Sequence, residues 1–143
     1  MELSKCDIAE KLRRCGLKPT SQRIAILMQM LSRKDHPSAE ALHRSLKDEF
    51  PALSINTIYL NLESFAEKDI ILKINVLHHS ARFDGDTSPH HHFVCIRCKK
   101  IIDLHNLKIP KIKIPKQISA AEIFFQQLRI NGICEECRGK NCN

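Results

Sequence analysis

The chain has 143 residues, enough for one domain or two small ones, and its 23 Lys/Arg against 16 Asp/Glu give a net charge of +7 that suits a nucleic-acid partner. No apolar run approaches the length of about 18 residues that a membrane span needs. The opening "MELSKCDIAEKLRRCG" lacks the apolar centre of a signal peptide, so a cytoplasmic protein without a membrane partner is expected. Two units of roughly 60–80 residues would have thin cores, and units of that size often rely on a metal or a second copy of the chain.

The first 68 residues read as helices. One runs over roughly residues 2–15 and stops at Gly16, the residue that most readily takes the left-handed conformation after a helix. "TSQRIAILMQML" follows with Thr20 as its cap and an apolar stripe at Ile24, Leu27, Met28 and Leu31. "SAEALHRSLKDEF" is capped by Ser38, places Leu42, Leu46 and Phe50 on one face and is stopped by Pro51. "SINTIYLNLESFAEKD" is capped by Ser54 and predicts burial of Ile55, Ile58, Leu62 and Phe65, with Asn56, Thr57, Tyr59, Leu60 and Asn61 on the other face. Residues 11–34 carry seven Lys/Arg and no acid, a stretch that fits either a solvated helix face or a phosphate-facing surface.

After residue 69 the pattern changes to strands. "IILKINV" and "ARFD" read as a two-stranded wing; "HHFVC" and "KIIDL" flank a Cys-Ile-Arg-Cys turn; "AEIFFQQLRINGIC" reads as one longer strand. The stretch "KIPKIKIPKQIS" (108–119) is assigned no element, because Pro110 and Pro115 oppose both a regular helix and a central strand. The reading is therefore α+β: a winged helix-turn-helix domain over residues 1–79, a linker over 80–88, and a small α/β unit over 89–143. In a winged helix the last helix enters the major groove, where Asn56 suits adenine, Thr57 and Tyr59 suit phosphate or a thymine methyl, and Asn61 is a further candidate DNA contact. The same pattern also fits a small helical bundle that binds a protein.

Seven cysteines are present, four of them in the pairs Cys95/Cys98 and Cys134/Cys137, separated by 35 residues. Zinc favours four soft ligands in a tetrahedron, and each C-x-x-C turn supplies two, so a closed structural Zn²⁺ site is expected. A thioredoxin-like redox pair would need a βαβ context that is missing here. Cys6, Cys15 and Cys142 read as ordinary thiols. In "SPHHHFVC" strand alternation sends His90 and His92 to one face and His91 to the other. With Asp84 and Asp103 as oxygen donors, the two imidazoles read as half of a site for Fe²⁺ or Mn²⁺, against the plainer reading of a solvated histidine loop.

The ordered set "GLKPTSQR" (16–23), "HPSAE" (36–40), "SINTIYLNLESF" (54–65), "RFD" (82–84), "HHHFVCIRC" (90–98), "KIIDLH" (100–105) and "INGICEEC" (130–137) resembles the ferric uptake regulator (Fur) family over nearly the whole chain. The resemblance implies a homodimeric winged-helix repressor of operator DNA, not an enzyme, with a C-terminal dimerisation domain and structural zinc on Cys95, Cys98, Cys134 and Cys137. It implies a regulatory Fe²⁺ or Mn²⁺ site on His36, Asp84, His90, His92 and Asp103, as in the peroxide-sensing PerR branch, which has Asp where iron sensors commonly have Glu. In that branch iron and hydrogen peroxide oxidise a ligand histidine, here His36 or His90, and the repressor leaves DNA. The alternative is a repressor of the same fold that responds to iron or another metal without sensing peroxide. The resemblance also offers Lys18 as a minor-groove contact and Arg23 as a phosphate contact or a structural pairing. The chain departs from the family pattern at Leu60, at Pro19 ahead of Thr20, and over residues 108–119, where relatives have a helix.

Overall fold

Each of the first four helices starts at a hydroxyl side chain that accepts a backbone N–H of the first turn. In the computed structural model, which describes residues 4–76, 79–110, 113–124 and 126–140, these are α1 (Lys5–Arg14), α2 (Ser21–Ser32), α3 (Ala39–Leu46) and α4 (Ile55–Glu67). Ser4 and Asp7 cap each other reciprocally, so α1 begins at Lys5, and residues 2 and 3 of the expected helix lie outside the described residues. Its end is as expected. Gly16 has φ +75°, and the N–H groups of Gly16 and Leu17 donate to the carbonyls of Arg13 and Leu12, both at 2.9 Å.

The chain divides into two compact units, residues 1–87 and 88–143. The core of the first unit gathers Ile8 and Leu12 of α1, Leu42 and Leu46 of α3, and Ile58, Leu62 and Phe65 of α4 around α2. Two expectations change here. The buried side of α2 is Ile26, Leu27 and Met30, while Ile24, Met28 and Leu31 are only half-buried. "IAILMQML" is apolar nearly all round, so neighbouring helices, rather than its period, choose the buried side. Ile55 is 42% exposed because it sits in the first turn of α4, and Leu53, just ahead of the cap, enters the core instead. Helix α3 ends at Leu46, ahead of Phe50 and Pro51, and Phe50 packs half-buried against the core.

The wing consists of β1 (Leu72–Ile74) and β2 (Arg82–Asp84), antiparallel with Leu72 opposite Asp84. Residues 80–88, expected as a linker, thus contain a strand of the first unit. Phe83 is fully buried, and its N–H donates to the Pro37 carbonyl at 3.1 Å. His78 and Leu77 lie outside the described residues.

The second unit is a three-stranded sheet in the order β4-β3-β5, with β3 (His91–Cys95) in the centre, β4 (Ile101–Leu104) antiparallel to it and β5 (Arg129–Gly132) parallel. The expected long strand from residue 121 shortens to four residues, because its five-residue partner β3 offers no further ladder to join. Among the described residues of 108–119 the regular structure is one 3₁₀ turn, Lys116–Ile118. A last turn of helix, α5 (Glu135–Arg138), follows Cys134.

Candidate metal centre

The two cysteine pairs meet because β3 and β5 run parallel. Cys95 ends β3 opposite Gly132, and Cys134 follows two residues later at the same end of the sheet. Cys98 is brought back by the turn over 96–99, which Lys99 closes with φ +63° and an N–H donated to the Cys95 carbonyl at 3.0 Å. One ligand atom from each of Cys95, Cys98, Cys134 and Cys137 lies within 4.8 Å of the others. The Sγ atoms of Cys98 and Cys134 are 3.6 Å apart. A tetrahedral zinc with Zn–S bonds of about 2.3 Å has edges of about 3.8 Å, whereas a disulfide needs about 2.05 Å. The donors fit zinc.

The charges agree with that fit. The Cys134 N–H donates to Cys95 Sγ at 3.3 Å and is the main cause that lowers the Cys95 thiol to about 6. Hydrogen bonding with Cys134 and Cys98 pushes Cys137 up to about 12. Four thiols this close resist shared ionisation until a divalent cation balances them. The cluster is a structural zinc site, and its four thiols leave no histidine among its ligands.

The histidines form a separate group. His90 and His92 are 2% and 1% exposed, their Nε2 atoms 2.9 Å apart, while His91 faces the other way and accepts the Leu128 N–H on Nδ1 at 3.2 Å. Asp103 lies opposite His92 in the β3–β4 register, with Oδ1 at 3.5 Å from His90 Nε2 and 3.4 Å from His92 Nε2. Adjacent ligand atoms of an octahedral metal with bonds of about 2.1 Å are about 3.0 Å apart, so two nitrogens and an oxygen already converge at metal-binding distances. His105 stacks tilted on His90 at 4.8 Å, with Nε2 3.8 Å from Asp103 Oδ2. Sequence reasoning passed over Gln127, whose amide nitrogen lies 2.9 Å from His92 Nδ1. Only the strand register makes it visible.

In the first unit His36 and Asp84 form a buried pair, with His36 Nε2 at 3.6 Å from Asp84 Oδ2. His36 has φ +49°, a left-handed conformation uncommon outside glycine, and two contacts hold it. Arg82 donates to the His36 carbonyl at 3.1 Å, and the Phe83 N–H reaches Pro37, so the strand that carries Asp84 is stitched to the turn that carries His36.

On the presented face of α4, Asn56 is exposed, Tyr59 is 41% and Leu60 60% exposed, and Thr57 is half-buried with its hydroxyl 2.9 Å from that of Ser54. Lys73 Nζ of the wing lies 5.8 Å from the Tyr59 ring centroid. Lys18 is exposed ahead of α2. Arg23 donates to Asn61 Oδ1 at 2.9 Å and to the Lys18 carbonyl at 3.1 Å, and Asn61 donates to the Thr57 carbonyl at 2.7 Å. Arg23 and Asn61 therefore clamp α2 to α4. Cys6 is exposed and Cys15 half-buried, and Cys142 lies outside the described residues. No described helix is long and apolar enough to cross a membrane.

Comparison with known proteins places this geometry. The ferric uptake regulator family profile matches residues 14–130. The peroxide-responsive repressor PerR of Staphylococcus aureus is 33% identical over 130 residues, covering 90% of this chain and 88% of that protein. Among solved structures, the Helicobacter pylori ferric uptake regulator Fur aligns with a TM-score of 0.74 at 18% identity, covering 99% of this chain and 98% of that one. PerR of Streptococcus pyogenes, whose structure is described as the basis of its peroxide sensing and gene regulation, aligns at 0.53 with 25% identity, covering 93% and 92%. The chain belongs to the ferric uptake regulator family of metal-responsive repressors.

Proposed function

We propose that the chain is a metal-dependent transcriptional repressor that senses hydrogen peroxide and binds operator DNA as a homodimer. The observation that carries this reading is the convergence of His90, His92 and Asp103 on one point, apart from the zinc thiols, in a chain similar to named peroxide-responsive repressors. His36 and Asp84 supply the remaining ligands from the first unit. This nitrogen and carboxylate set suits Fe²⁺ or Mn²⁺. In this reading the metal-loaded form is the one that holds operator DNA, so metal affinity and DNA affinity are linked.

A dimer engages two half-sites one helical turn or a multiple apart only at the right spacing of its reading helices. Here α4 is the reading helix, with Asn56, Thr57 and Tyr59 toward DNA, Lys18 beside it, and Arg23 and Asn61 setting its angle. Bound Fe²⁺ supplies electron-transfer chemistry toward hydrogen peroxide that Mn²⁺ does not. The imidazole of His36 or His90 takes one peroxide oxygen while the other leaves as water, and the oxidised ring ceases to be a ligand. Loss of that ligand lowers metal affinity and, through the linkage, DNA affinity, so DNA is released.

The test uses duplexes selected from a random library by the Mn²⁺-loaded protein. Both metal forms should bind, and peroxide should release only the Fe²⁺ form, with one added oxygen in peptides that contain His36 or His90. An iron form that keeps its DNA through peroxide identifies a metal-supply repressor instead. Protein that ignores duplex DNA with either metal refutes the repressor reading.

A further inference from the structure

The contacts around His92 have a direction. Gln127 Nε2 lies 2.9 Å from His92 Nδ1, and an amide nitrogen only donates, so Nδ1 accepts and the proton of the neutral ring sits on Nε2. At the far end, His90 Nδ1 lies 2.8 Å from the Ser88 carbonyl, which only accepts, so His90 carries its proton on Nδ1 and presents a lone pair at Nε2. The two Nε2 atoms are 2.9 Å apart, and between them the donor is His92. Gln127, His92, His90 and Ser88 thus form a relay that runs one way.

A metal at the Nε2 pair needs a lone pair from each ring. His90 offers one already. His92 offers one only after its proton moves to Nδ1, where the Gln127 amide must turn its oxygen inward to accept it. We infer that Gln127 sets the tautomer of His92 and so controls how readily this pair accepts its metal. The inference rests on the reading of His90 and His92 as ligands. Two bonds of the next residue hold the backbone at Gln127 in position, since the His92 N–H donates to the Leu128 carbonyl at 3.1 Å and the Leu128 N–H donates to His91 Nδ1 at 3.2 Å. The amide is therefore the part that turns, and its turn also gives up the 3.4 Å donation to the His90 carbonyl.

Two variants of zinc-loaded, full-length protein test this. Gln127→Glu places an acceptor at Nδ1, favours the metal-competent tautomer and should tighten Mn²⁺ binding. Gln127→Leu removes the donor that keeps the proton on Nε2 without supplying an acceptor at Nδ1, so its Mn²⁺ affinity should fall between those of the wild type and Gln127→Glu. Retained zinc stoichiometry shows that each variant is folded. Variants that both bind Mn²⁺ as the wild type does, or a Gln127→Leu protein that binds it more tightly than Gln127→Glu, overturn the inference. Imidazole ¹⁵N spectra without Mn²⁺ decide it independently: the His92 proton is expected on Nε2 in the wild type and on Nδ1 in Gln127→Glu. An unchanged tautomer overturns the role of Gln127 even if Mn²⁺ binds. A changed tautomer alongside a wild type that takes up no Mn²⁺ supports it and instead refutes the ligand reading.

Discussion

The two units keep their shape by different means. The first buries a continuous apolar cluster from Ile8 to Phe83, with ten side chains at 1% exposure or less between α1 and α4 alone. In the second, the buried residues among those described are Val94, Ile101, Cys95, Cys134, His90 and His92, so most of its interior consists of metal-ligand side chains. Among the described residues, the same unit holds ten of the thirteen exposed large apolar side chains, from Ile96 to Ile133. A hydrophobic core folds the first unit. Ligand-type side chains in the interior and apolar side chains left exposed mark the second.

The largest expected effect falls on the second unit. Cys134→Ser removes a ligand from a site type worth roughly 10–16 kcal/mol in zinc-finger peptides, and it should unfold residues 88–143 while the helices stay folded. Zinc analysis with amide NMR reads both outcomes, and loss of the helical signals as well would erase the contrast between the units. Next, Phe65→Ala in the first core should cost about 3–5 kcal/mol in thermal unfolding while zinc content stays the same.

Arg23→Ala should cost about 1–3 kcal/mol, because Asn61 loses its partner across α2 and α4. It should weaken DNA binding without changing the salt dependence. A salt slope lower by about one would make Arg23 a phosphate contact instead. The smallest effect on folding is expected at Phe124, which is 85% exposed. Phe124→Asp should leave stability within about 0.5 kcal/mol, and sedimentation should show a weakened dimer. A full-strength dimer would place the partner surface elsewhere.

What was legible in advance was local. Thr20, Ser38, Ser54 and Gly16 mark helix ends through bonds made within a few residues, so sequence alone places them. The burial face of α2 was not legible, because apolar residues surround it. The site divides in the same way: thiol spacing announced zinc, and alternation separated His91 from His90 and His92. His36 came only through resemblance, since an isolated histidine carries no pattern.

By itself the sequence determined the helix caps, the strand around the histidines and the ligand chemistry, since these follow from turn geometry and donor type over a few residues. Tertiary structure decided the rest. It selected Ile26 and Met30 for the core, ran β5 parallel to β3 so that the cysteine pairs meet, and set Gln127 against His92. Those outcomes depend on which distant segments pack together, and pairing between distant segments leaves no periodic trace in either partner.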